Sequence, residues 1–544
     1  MNESQAPASG SSPGLRPRRA PAVSLVEIAG LIGGEIATPE IMLNGVTLDS
    51  RAVRRGDLYL ALPGLSSHGA KYAAQAAQAG AAAILTDQPG AEMLRGSPAE
   101  GLPLLIVPEP QRWVGRIAER IYRDDSAGAE HLQLFGITGT NGKTTTSYLV
   151  RSILAALGRR SGLIGTIETL VGEQRVDSTL TTPAATDLQA LFALMREESL
   201  DAAVMEVSSH ALTLGRVDQV VFDVAGFTNL TQDHLDLHGE MTEYFAAKAS
   251  LFSAEHAKAA VVTIDDEWGS KMAAAAGVPV TTLRTTLPEA LVASAEGLAE
   301  ADWHVRSAVP QGLGWQVELA GEGKSLTFRT SLPGEFNVSN AALAVLMVHV
   351  SGVSIEDLQA ALDQFDPLSI QVPGRMQLIC REPISVVDFA HNPDALHRAM
   401  EAVRPAHGDV TGQLIVVFGA TGQRDQSKRE IMGALAARHA DVVIVTDDDP
   451  HDEDPAQIRD QVFAGALHSA WDDTRVENVA PRAAAIDRAV ELASAGDRIL
   501  VAGRGHEVWQ EVSGVNLALD DREELRTALR KYGFTPEPLP EIES

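Results

Sequence analysis

The sequence predicts an α/β protein of three domains in which parallel sheets dominate. The chain has 544 residues, enough for about three or four domains of ordinary size. Ala-rich helical segments such as 72–83 alternate with short apolar runs such as 82–85, and this alternation is typical of parallel sheets. A third observation concerns the apolar run 132–137, which leads into a glycine-rich turn and a helical pattern at 147–157. It predicts a P-loop ATPase-like parallel sheet in the central domain.

Two polar stretches predict where the domains meet. Arg123–Gly128 follows a helical pattern, and Phe365–Ser369 carries a proline before a new strand pattern at Ile384–Val387. The first residues are rich in Ser, Gly, Pro and Ala and are expected to form a flexible tail. The predicted division is a tail at 1–23, an N-terminal α/β domain at 24–128, a central domain at 130–366 and a C-terminal Rossmann-like domain at 367–544.

Charge and composition exclude several classes of partner. With 73 acidic and 44 basic side chains the formal net charge is −29, which argues against a nucleic acid polymer or an anionic membrane as a partner. The single cysteine, Cys380, cannot form an intramolecular disulfide, and this favours a reducing, cytoplasmic location. No apolar run reaches about 18 residues, so no membrane insertion is expected. Small molecules remain as partners, and we expect a monomer.

The strongest local signal is a phosphate-binding loop after the strand at 132–137. Its glycines let backbone N–H groups approach phosphate oxygens, and the start of the following helix adds positive potential. Lys143 is expected along the β- and γ-phosphates of ATP, and the Thr144 hydroxyl on Mg²⁺. The spacing is a variant, because Ile137 stands where the strict pattern has glycine. The predicted ATP-binding residues of the loop are Thr138, Gly139, Thr140, Asn141, Gly142, Lys143 and Thr144.

Three further polar residues follow apolar segments and are candidates for chemistry at a metal. Glu206 ends the apolar run Ala202–Glu206, where P-loop proteins place a second acid near the metal. His234 follows another apolar strand, and Lys248 lies on a helical pattern. The alternatives are a structural salt bridge for Glu206, a solvated loop residue for His234 and a surface lysine for Lys248. Spacing alone does not separate these alternatives.

Seven stretches together resemble the Mur ligases, the ATP-dependent ligases that add amino acids to peptidoglycan precursors. They lie along nearly the whole chain, at Thr47–Arg51, Thr138–Thr144, Glu206–His210, Asn229–Asp236, Asn337–Asn340, Asp388–Asp394 and Gly503–Glu507. Within the family the resemblance is to members that add the third residue. It implies that the γ-phosphoryl group of ATP passes to the free D-glutamate carboxylate of UDP-N-acetylmuramoyl-L-alanyl-D-glutamate. The amine of the incoming amino acid then attacks the acyl phosphate.

The resemblance implies two Mg²⁺ ions at the central site. It implies that Lys248 is carbamylated, which converts an ammonium into an anionic carbamate whose oxygens suit Mg²⁺. The implied metal ligands are Thr144, Glu206, His234 and the Lys248 carbamate, and the implied catalytic residues are Lys143, Lys248, Glu206 and His234.

The resemblance also assigns the contacts to the UDP-substrate and to ATP. The UDP end is expected on the N-terminal domain and the sugar-peptide portion on the central one, at Leu48, Ser50, Leu65, Ser66, Ser67, Thr181, Thr182, Ser208 and Arg216. Further ATP contacts are expected at Asn337, Asn340, Asp388 and His391. Leu180 and Leu214 depart from the pattern of diaminopimelate-adding members, where polar Asn and Gln are expected. This departure affects one or two hydrogen bonds to the substrate.

The identity of the added amino acid depends on the C-terminal domain. Members that add meso-diaminopimelate resemble one another in an Asp-Asn-Pro-Arg signature, where this chain has Asp448-Asp449-Pro450-His451. An arginine fork binds the distal carboxylate of diaminopimelate, whereas Asp449 would repel it and attract a lone ammonium. We therefore predict L-lysine, with meso-diaminopimelate or ornithine as alternatives. The predicted contacts to the amino acid are Arg424, Asp448, Asp449, Pro450, His451, Gly503 and Glu507.

Two other functions share part of this pattern. Folylpolyglutamate synthetases share the variant loop and the modified lysine, but that family lacks the N-terminal module that carries Leu48–Arg51. A P-loop switch or motor ATPase would not need Lys248, Asp388 or the loop at Asp448. Phosphate release that depends on both the UDP-dipeptide and an amino acid distinguishes a ligase from such a switch.

Overall fold

The chain folds into three successive α/β units, each built around its own sheet. The computed structural model describes residues 16–18, 22–34, 41–64, 67–123, 131–177, 180–233, 238–286, 300–404, 412–423 and 425–538. Within these residues no helix is long and apolar enough to cross a membrane. The predicted fold class is confirmed, because each unit contains parallel strands connected by helices.

The N-terminal unit contains a four-stranded parallel sheet. The strands of the unit are β1 (Val23–Ser24), β2 (Met42–Leu43), β3 (Gly45–Thr47), β4 (Asp57–Leu60), β5 (Ala83–Thr86) and β6 (Leu104–Ile106). The four-stranded sheet has the order β3-β4-β5-β6, and β1 pairs separately with β2. Its helices are α1 (Leu25–Leu31), α2 (Ala73–Ala79), α3 (Gln88–Leu94) and α4 (Val114–Tyr122). The predicted helix at 72–83 ends early, because Gly80 adopts a left-handed backbone conformation with φ of 101°. Arg16, within the predicted tail, pairs with Asp57 at 2.6 Å.

The central unit contains an eleven-stranded mixed sheet of order β10-β9-β8-β11-β7-β12-β13-β14-β15-β16-β17. Its strands are β7 (Gln133–Thr138), β8 (Ser161–Ile164), β9 (Thr169–Val171), β10 (Gln174–Val176), β11 (Ala202–Glu206), β12 (Val224–Phe227), β13 (Ala260–Thr263), β14 (Val280–Arg284), β15 (Trp303–Gln311), β16 (Gly314–Gly321) and β17 (Lys324–Thr330). The strands from β8 to β15 in this order are parallel, and antiparallel strands extend both edges.

The helices of the central unit are α5 (Lys143–Ala156), α6 (Ala185–Glu197), α7 (Ser209–Thr213), α8 (Met241–Ala249), α9 (Glu267–Ala275), α10 (Glu335–Val350) and α11 (Ile355–Phe365). Helix α10 is apolar on nearly every face and is therefore stable only when it is enclosed by other elements. It packs against α5 and against the sheet at β13. This packing supports α5, the helix that begins at the phosphate loop.

The C-terminal unit contains a six-stranded sheet of order β18-β19-β23-β20-β21-β22. Its strands are β18 (Gln377–Arg381), β19 (Ile384–Asp388), β20 (Leu414–Phe418), β21 (Val442–Val445), β22 (Arg475–Asn478) and β23 (Arg498–Ala502), followed by a separate hairpin of β24 (Trp509–Val512) and β25 (Val515–Ala518). Its helices are α12 (Pro393–Val403), α13 (Lys428–His439), α14 (Pro455–Ser469), α15 (Arg482–Leu492) and α16 (Asp521–Lys531). Because the three sheets follow one another along the chain, we propose domain boundaries at 24–128, 130–366 and 367–544.

Candidate active site

Three parallel strands of the central sheet end side by side and form the floor of the site. In the register of the sheet Ile137 of β7 is paired with Glu206 of β11, and Thr138 is paired with Phe227 of β12. The phosphate loop leaves β7 at this edge, and Thr228 and the following loop leave β12. The carboxyl ends of parallel strands are where open α/β sheets bind ligands.

The phosphate loop needs glycine at two positions. Gly139 has a φ of 148°, and a Cβ there would clash with the Thr228 hydroxyl. Gly142 has a φ of 90°, and a Cβ there would clash with the side-chain oxygen of Asn340. L-residues with a side chain rarely adopt these conformations, so both glycines are required by the local fold. Asn340 therefore lies directly against the loop, and it donates a hydrogen bond to Asn337 at 2.9 Å.

Asn229, from the loop after β12, holds the phosphate loop by its main chain. Its side-chain oxygen accepts from the Asn141 N–H at 3.0 Å, and its side-chain N–H₂ donates to the Asn141 carbonyl at 3.1 Å. Thr140 is held similarly, because its N–H donates to the Asn229 carbonyl at 2.9 Å. The sequence analysis placed Asn229 in a family stretch but gave it no role. Its contacts identify it as a residue that positions the loop.

Two lysines meet at one backbone carbonyl of the phosphate loop. Lys143 and Lys248 donate to the Gly139 carbonyl at 3.0 and 2.8 Å, and Lys143 also donates to the Thr140 carbonyl at 2.9 Å. Burial lowers the pKa of Lys143, and burial together with the adjacent Lys143 ammonium lowers the pKa of Lys248 well below its usual range. Lys248 is 1% exposed, so it is not a surface lysine. A buried lysine with a depressed pKa is a strong candidate for chemistry.

Glu206 is a buried carboxylate surrounded by donors. It is 1% exposed and accepts from the Thr144 hydroxyl at 2.9 Å. The Thr166 N–H and hydroxyl donate to the same carboxylate at 2.8 and 3.0 Å. A hydroxyl and a carboxylate in contact are oxygen ligands of the kind Mg²⁺ prefers. The donor set therefore fits the predicted metal, although no group of three or more His, Cys, Asp or Glu side chains comes together within the described ranges.

Arg375 is a residue of this site that the sequence analysis missed. It lies between the central and C-terminal units, where its guanidinium donates to the His506 ring at 3.3 Å and reaches the Thr144 hydroxyl at 3.5 Å. The guanidinium also stacks over the Phe389 ring at 4.2 Å. Burial and the neighbouring Arg375 lower the pKa of His506 to about 3, so His506 accepts this bond as a neutral ring. The signal in the sequence was the Pro373-Gly374-Arg375 turn after the predicted domain boundary.

The C-terminal unit touches the phosphate loop through the start of α12. Asn141 donates to the Asp394 carboxylate at 3.1 Å and accepts from the Asn392 side chain at 3.3 Å. His391 lies beside Asp233 of the central unit at 3.8 Å. Asp388 accepts from the backbone N–H groups of Met376 and Ala390 at 2.6 and 2.8 Å. His391 therefore lies where the C-terminal unit meets the central one, and Asp388 shapes the turn before it.

The predicted amino-acid loop, Asp448–His451 after β21, makes more ion pairs and hydrogen bonds than its sequence suggests. Arg504 is fully buried and forms an ion pair with Asp449, which also accepts from the Glu511 N–H at 3.1 Å. His451 is bound to the Glu511 carboxylate at 2.5 Å. Glu511 lies on the β24–β25 hairpin and had no role in the sequence analysis. The Asp449 carboxylate that was expected to attract a lone ammonium is therefore already paired with Arg504.

Three acidic side chains surround Arg504. Asp448 and Glu507 lie 3.7 Å from its guanidinium, in addition to Asp449. Burial and the nearby Asp448 raise the pKa of Glu507 to about 8. Gly503 has a φ of 114° and lies so close to Asp448 that a Cβ would crowd its carboxylate. The Pro450 carbonyl lies so close to Gly422 that a Cβ on Gly422 would clash with it.

The predicted sugar-peptide contacts lie next to Glu206. Thr182 donates to the Glu206 carbonyl at 2.8 Å and accepts from the Ser208 N–H at 3.2 Å, and Arg216 donates to the Thr182 carbonyl at 3.1 Å. Thr181 lies 3.2 Å from the Thr166 hydroxyl. These residues adjoin Glu206, the acid that would hold the metal. Leu180 and Leu214, which replace expected polar residues, are 42% and 63% exposed.

The remaining predictions fall on the N-terminal unit or outside the described residues. Ser50 donates to Gln75 at 3.0 Å, Ser67 lies 3.4 Å from the Tyr72 hydroxyl, and Leu48 packs at the edge of the N-terminal core. The positions that lie outside the described residues are Leu65, Ser66, His234 and Arg424.

Comparisons with known proteins give one consistent result. Residues 43–122 match the Mur ligase family, catalytic domain, residues 137–348 the Mur ligase middle domain, and residues 374–505 the Mur ligase, glutamate ligase domain. A UDP-N-acetylmuramoyl-L-alanyl-D-glutamate--2,6-diaminopimelate ligase of Streptomyces coelicolor is 44% identical over 520 residues, covering 95% of this chain and 98% of the relative. A UDP-N-acetylmuramyl-tripeptide synthetase of Leifsonia xyli is 42% identical over 526 residues, covering 96% and 98%. A solved structure of a 2,6-diaminopimelate ligase of this kind has a TM-score of 0.63 and 30% identity, covering 94% of this chain and 100% of its own.

Proposed function

Because the chain belongs to the Mur ligase family, we propose that it adds the third amino acid to UDP-N-acetylmuramoyl-L-alanyl-D-glutamate in peptidoglycan precursor synthesis. Like its relatives it is an ATP-dependent ligase. One observation carries the proposal: the buried Glu206–Thr144 pair and the start of α12 meet at the same phosphate loop. An ATP site therefore lies directly beside the unit that is predicted to deliver the amino acid.

The proposed reaction has two steps. In the first, the γ-phosphoryl group of ATP passes to the D-glutamate carboxylate, so that its bond to ADP breaks and an acyl phosphate forms. In the second, the amine of the incoming amino acid attacks the acyl carbon, the new amide bond forms, and phosphate leaves from a tetrahedral intermediate. Lys143 and the backbone N–H groups at the start of α5 would hold the triphosphate, since the Thr140 and Asn141 N–H groups already donate to Asn229. The Asn141 contacts with Asn392 and Asp394 close the site against water, which would otherwise hydrolyse the acyl phosphate.

We propose Thr144, Glu206 and a carbamylated Lys248 as the ligands of two Mg²⁺ ions, with His234 as a further ligand outside the described residues. Bound Mg²⁺ offsets the repulsion between a triphosphate and a carboxylate. The depressed pKa of Lys248 supports carbamylation, because only the neutral amine adds to CO₂. Burial makes an ammonium costly at this position, whereas the charge of an anionic carbamate would be offset by the Mg²⁺ it binds.

Two candidates remain for the added amino acid. The names of the Streptomyces relatives favour meso-diaminopimelate. The pairing of Asp449 with Arg504 also weakens the charge argument for L-lysine, since that carboxylate is not available to bind a lone ammonium. L-lysine stays as the second candidate because His451 stands where diaminopimelate-adding members have arginine. We therefore place meso-diaminopimelate first and L-lysine second.

Purified enzyme distinguishes these possibilities. Phosphate release should require ATP, the UDP-dipeptide and a diamino acid together. The values of kcat/KM for meso-diaminopimelate, L-lysine and ornithine then rank the substrates, and faster turnover of L-lysine would reverse our order. Phosphate release that does not depend on the UDP-dipeptide would contradict the proposed ligase function and favour a P-loop switch.

A further inference from the structure

A cleft on the central unit, away from the phosphate loop, is lined by three arginines. The cavity has a volume of about 540 Å³ and lies at the far end of α5, the helix that begins at the phosphate loop. Arg151, Arg159 and Arg160 line it, together with one acid, Glu173, with Tyr148 and with the segment Ile370–Gln371 that leads to the C-terminal unit. A volume of this size matches the usual range for small-molecule sites, about 300–1,000 Å³.

The positive charge of this cleft is only partly compensated. Neither Arg159 nor Arg160 forms an ion pair with another residue in the described part of the chain, although Arg159 donates to Gln133 at 3.1 Å and Arg160 to the Glu198 carbonyl at 3.0 Å. Arg151 pairs with Glu173 at 2.7 Å, but the Glu173 side chain is 93% exposed, so that pair is weak. The cleft thus carries three guanidinium groups and one carboxylate, in a chain whose net charge is −29.

Arg151 also has an unused donor. Its Nε is buried and has no hydrogen-bond partner among the described residues. Leaving a buried charged donor unpaired costs free energy that a bound anion would recover. Planar guanidinium groups bind phosphate oxygens through paired, charge-assisted hydrogen bonds.

We propose that this cleft binds a phosphorylated small molecule with at least two negative charges, and that its binding regulates the ligase. The arginines would hold the phosphate groups, and Tyr148 and Ile370 supply apolar walls for the rest of the molecule. Neither the phosphate loop nor the amino-acid loop contributes a residue to the cleft. The cleft is therefore separate from the active site.

Two structural connections link the cleft to catalysis. The Tyr148 hydroxyl donates to the Glu168 carboxylate at 2.6 Å, and Glu168 accepts through its carbonyl from Gly165 in the turn that carries Thr166. Thr166 in turn donates to the Glu206 carboxylate. The second connection is Ile370–Gln371, where Ile370 packs against the central core just before the chain enters the C-terminal unit. We expect a ligand that packs against this segment and α5 to hold the two units in one arrangement and so to lower kcat.

Pyrophosphate titration tests the binding site. The full-length enzyme is first saturated with Mg²⁺ and the non-hydrolysable β,γ-imido analogue of ATP, so that the phosphate loop is filled, and inorganic pyrophosphate is then titrated by calorimetry. We expect one pyrophosphate per chain. The double variant Arg159→Gln/Arg160→Gln should weaken its binding by about tenfold or more, because two charge-assisted contacts are removed.

The control is the double variant Arg112→Gln/Arg306→Gln, which makes the same change in net charge at exposed sites outside the cleft. It should bind pyrophosphate as the unchanged enzyme does. No binding to the unchanged enzyme, or equal weakening in both double variants, would overturn the proposed site. Thermal unfolding of each variant shows whether it is folded.

Steady-state amide formation tests the regulation. With Mg²⁺ in excess, pyrophosphate should lower kcat and leave the KM for ATP unchanged, and the Arg159→Gln/Arg160→Gln variant should not respond. Tyr148→Phe should still bind pyrophosphate but show a smaller change in kcat, since its link to Glu168 is lost. An unchanged kcat at saturating pyrophosphate would refute the regulatory role.

Discussion

The phosphate loop and the proposed amino-acid loop, Asp448–His451, are built differently. At the phosphate loop, contiguous residues bind through their backbone, and Gly139 and Gly142 are required by their own φ angles. At the amino-acid loop, Asp449 and His451 are each bound by a side chain or hairpin residue from elsewhere in the C-terminal unit. The phosphate loop depends mainly on the backbone of one segment, which Asn229 then holds in place. The amino-acid loop depends on a balance of charges among three segments.

This difference has a consequence for how each loop tolerates change. A backbone phosphate site fails when its geometry or its metal ligands are altered, and neighbouring charges matter less. A charge-balanced loop responds to any change in the set Asp448, Asp449, Arg504, Glu507 and Glu511, because each member sets the electrostatic environment of the others. Four experiments separate the two behaviours, beginning with the largest expected effect.

Lys248→Ala should lower kcat by about 100-fold or more, because it removes a proposed metal ligand that stabilises developing charge. Binding of the UDP-dipeptide, measured by calorimetry, should stay nearly normal, since Lys248 contacts the loop at Gly139. Lys271→Ala, at an exposed lysine on α9, is the matched control and should keep full activity. Full activity in Lys248→Ala would remove this residue from the metal site.

Arg504→Gln should destabilise the C-terminal unit by about 3 kcal/mol, because it leaves Asp449 without its buried counter-charge. The measurement is the unfolding midpoint, followed by circular dichroism. Arg381→Gln breaks an exposed ion pair with Glu537 and should change the midpoint little. Equal stability of the two variants would show that the acid cluster does not depend on Arg504.

Glu511→Gln should change the preference among diamino acids more than it changes the rate. Removing this carboxylate takes away a negative charge that would attract the lone ammonium of L-lysine and repel the distal carboxylate of meso-diaminopimelate. It should therefore lower kcat/KM for L-lysine about tenfold more than for meso-diaminopimelate. The comparison uses Glu401→Gln, at an exposed glutamate on α12, as the control. An unchanged ratio of the two kcat/KM values would exclude Glu511 from substrate selection.

Glu507→Gln should alter the pH dependence of stability. The pKa of Glu507 is raised from 4.5 to about 8, so the folded protein binds this proton more tightly than the unfolded chain does. The contribution of Glu507 to the free energy of unfolding is therefore greatest below pH 4.5 and is lost as the pH rises to about 8. Between pH 5 and pH 8 the unchanged enzyme should lose about 1 kcal/mol relative to Glu507→Gln, a small value because solvent screens this partly exposed group. Parallel pH profiles of the unfolding midpoint would contradict the raised pKa.

Much of the site was predictable wherever function depends on contiguous residues. The loop Thr138–Thr144 could be assigned from its glycines and from the strand and helix on either side. Glu206 could be identified as a candidate because it ends an apolar strand, although spacing alone left a structural salt bridge as an alternative. The residues that were missed, Arg375, Asn229 and Glu511, act across units or between distant loops. Arg375 follows a Pro-Gly turn and Asn229 lies in a family stretch, but neither signal reveals which distant residues they contact.

The sequence by itself determined the α/β fold, the phosphate loop and the Mur ligase family, because these depend on periodicity and on short motifs. The tertiary structure decided which charges are available at the site. It buried Lys248 beside Lys143 and paired Asp449 with Arg504. The physical reason is that a charge acts according to its burial and its partners, and both are set by elements far away in the chain.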